Sequence, residues 1–123
     1  MFLYNKKSPI CPECGTLMAM DYSKKYQKLF YFCPNKNCNV AISAYHSSSD
    51  PVGIPADRNT RALRQRTHKL ANKIWNYKDF HQRNKMYAWL GNNTKSKHIG
   101  EMKDLELLEV IDKFNKIINK FNL

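Results

Sequence analysis

Cys11-Pro12-Glu13-Cys14-Gly15 and Cys33-Pro34-Asn35-Lys36-Asn37-Cys38 hold all four cysteines of the chain, as a CxxC and a CxxxxC pair with eighteen residues between them. A zinc ion bound by four thiolates needs sulfurs at the corners of a tetrahedron about 2.3 Å from the metal. Each short loop can place two of those corners. Pro12 and Pro34 suit the early position of such a turn, and Gly15 can take the positive φ that closes the first one. The second loop has no glycine, so Asn35 or Asn37 is expected to take the left-handed conformation there. Two disulfides are the competing reading. Met1–Ile10 carries two lysines, no long apolar run and no small-residue cleavage site, so a reducing, cytoplasmic compartment is expected, where paired cysteine loops favour metal. A redox CxxC would not need the second pair and would open a helix in a βαβ pattern, which is missing. Cys11, Cys14, Cys33 and Cys38 are therefore assigned to Zn2+. With four protein ligands the site is closed, so the zinc is expected to be structural.

Outward from the cysteines, the chain reads as three short strands. Leu17–Tyr22 follows the first loop, Gln27–Cys33 brings Phe30, Tyr31 and Phe32 into the second, and Asn39–His46 leaves it. Phe2, Leu3 and Tyr4 can add a strand or pack on the ribbon. So small an antiparallel sheet buries little apolar area, and metal binding supplies folding free energy in its place. Ser47–Pro55 (SSSDPVGIP) has two prolines, a glycine and no periodicity, and reads as a linker. The boundary falls there: a zinc ribbon over 1–48 and a basic helical unit over 49–123, an α+β chain with a four-cysteine ribbon followed by three helices.

The first helix is expected over Asp57–Trp75, capped by Asp57 or Asn59, with Leu63, Thr67, Leu70, Ala71 and Ile74 as its buried stripe. Arg58, Arg66, Lys69 and Lys73 lie opposite that stripe, while Arg61, Arg64 and His68 lie along its flank. The second helix, Asp79–Leu90, has Phe80, Met86, Tyr87 and Leu90 to pack and a C-cap signal at Gly91-Asn92-Asn93. The last, Glu101–Phe121, shows an apolar side through Met102, Leu105, Leu108, Ile111, Phe114, Ile118 and Phe121.

The 123 residues carry a formal charge of +11. Residues 101–123 have five acids and four lysines, so residues 1–100 hold the whole excess. Such an imbalance calls for an anionic partner, nucleic acid ahead of an anionic membrane, and no apolar run is long enough to span a bilayer. The first helix alone holds six positive charges against one negative, a like-charge arrangement that costs stability and so points to a use.

The stretch CPECGTLM, followed by an aromatic strand into FYFCPNKNC, resembles the zinc ribbons at the C-terminal end of bacterial type IA topoisomerases. That resemblance implies single-stranded DNA bound by stacking and lysine contacts; it covers about a third of the chain and implies no topoisomerase activity. A wider pattern spans nearly all of it: the CPxCG ribbon, Ala44-Tyr45-His46, PxGxxAD from Pro51 to Asp57, TRxLRxxxH from Thr60 to His68, Trp75, RxxxYxWL from Arg83 to Leu90, and HIGxM from His98 to Met102. This is similar to a family of small phage-borne proteins described only as containing a zinc finger. The resemblance implies zinc and a phage or prophage origin, and it implies no reaction. The family pattern carries a further cysteine in the last helix, where this chain has Leu107 and Leu108.

Three functions follow from these residues. The leading one is nucleic-acid binding, with DNA favoured. Tyr22, Tyr26 and Tyr31 would stack on bases beside Lys24, Lys25 and Lys28, and Arg58, Arg61, Arg64, His68, Lys69 and Arg83 would line the helical contribution. The second is a small nuclease using His46, Asp50, Asp57, His68 and His98, for which no HExxH, HNH-like spacing or paired carboxylates appear. The third is an adaptor or inhibitor that binds a host protein, with the acidic first half of the last helix as its protein-facing side.

Overall fold

The computed structural model describes residues 2–123. The chain divides into two compact units, the first ending at Arg58 and the second running Asn59–Leu123.

In the first unit, β1 (Ala19–Ser23), β2 (Lys28–Phe32) and β3 (Ala41–Ser43) form an antiparallel sheet in the order β1-β2-β3. The register pairs Ala19 with Phe32, Tyr22 with Leu29, and Tyr31 with both Met20 and Ile42. Side chains alternate across a sheet, and β2 shows this directly. Tyr31 points into a core with Cys11, Met18, Cys33, Val40 and Ala44, flanked by Leu29. Phe30 and Phe32 face the other way, in ring contact with each other and, for Phe32, with Phe2.

The sheet is widened at both edges. Met20 donates its backbone N–H to the Leu3 carbonyl at 2.8 Å, so the lead-in does pack on the ribbon. At the opposite edge, Ala41 exchanges hydrogen bonds with Ala56, and Val52 donates to Ser43. The Ser47–Pro55 stretch is thus part of the ribbon rather than a linker, and the first unit extends some ten residues past 48. Two side chains tie it in. The Tyr31 hydroxyl donates to the Ser49 carbonyl at 2.6 Å, and Lys7 pairs with Asp50 at 2.9 Å. Prolines and serines without periodicity look like a linker because edge pairing leaves no hydrophobic pattern in the sequence.

The second unit holds α1 (Arg58–Ile74), α2 (Phe80–Asn93), a short 3-10 turn at Ile99–Glu101 and α3 (Asp104–Phe121). Their shared core is Ala71, Met86, Leu90, Ile99, Met102, Leu107, Val110 and Phe114. Trp75, Trp89 and Phe114, one near or in each helix, meet with ring centroids 5.3–5.9 Å apart, a geometry favourable for aromatic pairs. Asp79 caps α2 by accepting from the backbone of His81 and Gln82.

Two helix readings are corrected. Gly91 does not end α2, which continues to Asn93 and closes when Thr94 bonds the Leu90 carbonyl through both its backbone N–H and its hydroxyl. In α3 the buried side is Leu107, Val110, Ile111 and Phe114, while Leu105, Leu108 and Phe121 are exposed. Met102 is buried but sits in extended backbone before the helix begins. A stripe counted from Met102 therefore starts out of phase with the helix and lands on Leu105 and Leu108. No helix among the described residues is long and apolar enough to cross a membrane.

Candidate functional site

The two cysteine loops meet at one end of the sheet. β2 delivers Cys33, whose N–H bonds the Val40 carbonyl, and the turn after it returns Cys38, whose N–H bonds Asn35. The first loop folds back through Cys11 N–H to Thr16 and Gly15 N–H to Cys11, with Gly15 at φ 74° as its sequence position requires. Neither Asn35 nor Asn37 has a positive φ. The second turn closes instead through the Asn35 carboxamide, which accepts from the Asn37 N–H at 3.4 Å, the short-range side-chain bond that makes asparagine a turn former.

All four sulfurs lie within 4.8 Å of one another. Cys11 and Cys38 Sγ are 3.6 Å apart, and Cys14 and Cys33 Sγ 3.4 Å. Corners of a tetrahedron around zinc would be separated by about 3.8 Å for metal–sulfur bonds of about 2.3 Å, whereas a disulfide requires about 2.05 Å. The four thiols are free cysteines and fit a metal, not a pair of bridges. Cys11 and Cys33 are buried and Cys14 is exposed. Burial pushes the Cys33 thiol up to about 12 and raises Cys11. Cys14, beside the Thr16 hydroxyl and its backbone N–H, is drawn down to about 6. A dication at their centre favours the thiolate form at every corner, and so offsets the burial of the inner two. The donor set is that of a structural Zn2+ centre.

The residues expected from the sequence to stack on bases and bind phosphate fall into two groups. On the ribbon, Tyr22 and Tyr26 stand exposed at the β1–β2 hairpin end with Lys24, Lys25 and Lys28, and the Lys25 ammonium sits 5.2 Å from the Tyr26 ring centre. Tyr31 does not join them. It is fully buried, and its hydroxyl is spent inside the ribbon, so it has no face to offer a base. Tyrosine looks the same in sequence whether its strand neighbours turn it in or out; here the alternation with Phe30 and Phe32 turns it in.

On α1, Arg58, Arg66, Lys69 and Lys73 are exposed, and steps of three, four and eleven residues put them on one side of the helix. Arg64 is the exception among the cationic candidates. It is buried, and its Nε and Nη2 donate to the Met102 carbonyl at 3.1 and 3.0 Å. Arg61 is half-buried. Asn59 and Thr60 bond the Asp104 carboxylate at the first turn of α3. Asn59, Thr60 and Arg64 thus fasten α1 to the segment that opens α3, and the Arg64 guanidinium faces a carbonyl rather than solvent. Arg66 and Lys73, which sequence reasoning set on the opposite face without adding them to the site, belong with Lys69; the helical period alone would have found them. Arg83 is exposed on α2, with its guanidinium 5.8 Å from the Phe80 ring. His68 Nδ1 lies 3.1 Å from the Tyr77 hydroxyl. Desolvation, then the charge of Arg64, holds its imidazole below the usual histidine range.

No nuclease candidate falls in the metal-ligating group that the described residues gather. Among the described residues, the four cysteines are the group of metal-ligating side chains close enough to share an ion. Asp50 pairs with Lys7 and His98 packs on Tyr87.

No curated protein and no solved structure matches the chain. One family model, described as a zinc-finger-containing domain, matches residues 7–117 and so takes in all four cysteines together with the sheet and the helical core. The gathered thiols supply the finger that this description names, and the chain belongs to that family.

Proposed function

We propose that this protein is a nucleic-acid-binding module that engages unpaired strands, with zinc holding the ribbon's shape and taking no part in chemistry. The observation that carries this reading is the hairpin end of the ribbon. Two tyrosines there, Tyr22 at 55% and Tyr26 at 65% exposure, stand beside three exposed lysines. A tyrosine ring exposed to this degree leaves a face open to a partner, and stacking on a base is worth about 1–3 kcal/mol. The flanking ammonium groups supply the sequence-independent phosphate attraction that such platforms need. The exposed side of α1, with Arg66, Lys69 and Lys73, offers a second cationic surface. DNA is the favoured strand.

Titration of labelled single- and double-stranded oligonucleotides at two salt concentrations tests the reading. Affinity is expected to fall steeply with salt, and Tyr22→Ala with Tyr26→Ala to weaken single strands more than duplex. Replacing Lys69 and Arg66 by glutamine is expected to lower the salt slope by about 0.7–0.9 per lost phosphate contact. Failure to retain any oligonucleotide at low ionic strength would remove this function.

A further inference from the structure

The helical unit contains a pocket of about 70 Å³ that neither the metal centre nor the two cationic surfaces use. A cavity of that size holds a few waters, so it can take in no more than a small flat ring. Its floor is apolar and buried: Met86 and Leu90 from α2, and Ile99 from the turn before α3. Its walls are aromatic. His68 comes from α1, Tyr77 from the connection to α2, and Tyr87 from α2, itself braced by His98 at 6.2 Å between ring centroids. Arg83 completes the lining, and its side chain is exposed.

These features select a ligand class. A bare phosphate would meet an apolar floor, and a purely apolar molecule would make no use of the guanidinium, the imidazole or the phenols. A flat ring with hydrogen-bonding edges and an attached anion satisfies all of them. We infer that this pocket receives the base of one nucleotide, stacked against Tyr87 and His68, with Arg83 at the rim holding its phosphate. For a nucleotide within a strand the assignment rests on the nucleic-acid reading above; a free mononucleotide presents the same chemistry. The lowered basicity of His68 suits this arrangement. Its Nδ1 is engaged by the Tyr77 hydroxyl, and the guanidinium among the lining residues is that of Arg83.

Thymidine 5′-monophosphate is titrated into the full-length, zinc-loaded protein while the ring resonances of His68, Tyr77 and Tyr87 are followed by NMR. Saturable shifts at those rings are expected. Thymidine without its phosphate should bind about fivefold more weakly, the range of an exposed charge pair, and Arg83→Gln should abolish that difference. In the strand arm, an oligothymidine is compared with an abasic sugar–phosphate of equal length. The intact strand should bind about tenfold more tightly, and Tyr87→Ala should lose part of that preference. Melting curves of both variants check their folding, and the wild-type titrations depend on neither. Shifts with the mononucleotide but no oligonucleotide binding would keep the pocket and sink the strand reading. Oligonucleotide binding that leaves all three rings unmoved, or equal shifts from inorganic phosphate alone, would overturn the pocket.

Discussion

Replacing Arg64 by methionine keeps most of the side-chain bulk and deletes the guanidinium that donates twice to the Met102 carbonyl. A buried acceptor stripped of its donors costs about 1–3 kcal/mol. Part of this is returned, because the variant no longer buries a charge. A net loss of about 2 kcal/mol is then expected, against a total of about 3–10 kcal/mol for a unit of this size. At about 4–8 °C per kcal/mol, the melting temperature should fall by about 8–16 °C. Both tryptophans lie in the helical unit, so a fluorescence-monitored melt reports on it directly. Arg66→Gln, two residues along but exposed, is the control. It should melt within about 0.5 kcal/mol of wild type while lowering the salt slope of oligonucleotide binding. Arg64→Met, assayed well below its melting point, should leave that slope alone. If Arg64→Met melts with wild type and flattens the salt slope instead, the guanidinium faces an anion in solution and the strut assignment is wrong.

Elemental analysis should find one zinc per chain, and a strong chelator should collapse the ribbon's amide dispersion, since metal binding in such sites supplies about 10–16 kcal/mol of folding free energy; dispersion surviving full zinc removal would show that the sheet holds itself. Gly91→Ala should raise the stability of the helical unit by about 0.4–1 kcal/mol in denaturant melts, because Gly91 lies within α2 without a positive φ and an added Cβ meets nothing within 4 Å. For Glu106, desolvation raises the carboxyl, but the Ser96 hydroxyl and the N–H groups of Ser96 and Lys95 outweigh it and leave the group below its ordinary value. A depressed folded-state value stabilises above the unfolded one and is lost as pH falls through the folded one. The stability gap between wild type and Glu106→Gln should therefore be full at neutral pH and shrink in acid, as tryptophan-monitored melts at several pH values would show; a gap that widens in acid would contradict the hydrogen bonds that Glu106 accepts from Lys95 and Ser96.

The features readable along the chain were those whose cause is local. Two cysteine pairs with turn residues between them mark a metal site, because each loop's geometry is set within five or six residues; the sheet then brings the two loops together. The α1 stripe of Thr67 and Ala71, and the cationic side opposite it, follow from a helical period that needs no partner. The order of elements, the thiol cluster and the excess of positive charge were therefore legible along the chain.

Which of these side chains are buried follows from long-range packing. Arg64 and Arg66 are the same residue type two places apart, yet one is sealed beneath Met102, 38 residues distant in the chain, and the other is in water. Tyr31 and Tyr22 both sit in ribbon strands, and only the packing of the residues around Ser49 and Asn5 closes over the first. Ser47–Pro55 became a sheet edge through backbone bonds, which leave no mark in side-chain pattern. The pocket beside Tyr87 joins α1, α2 and the turn before α3. A side chain's value to a fold or to a ligand depends on what removes water from it, and that neighbour is supplied by long-range packing rather than by adjacent residues.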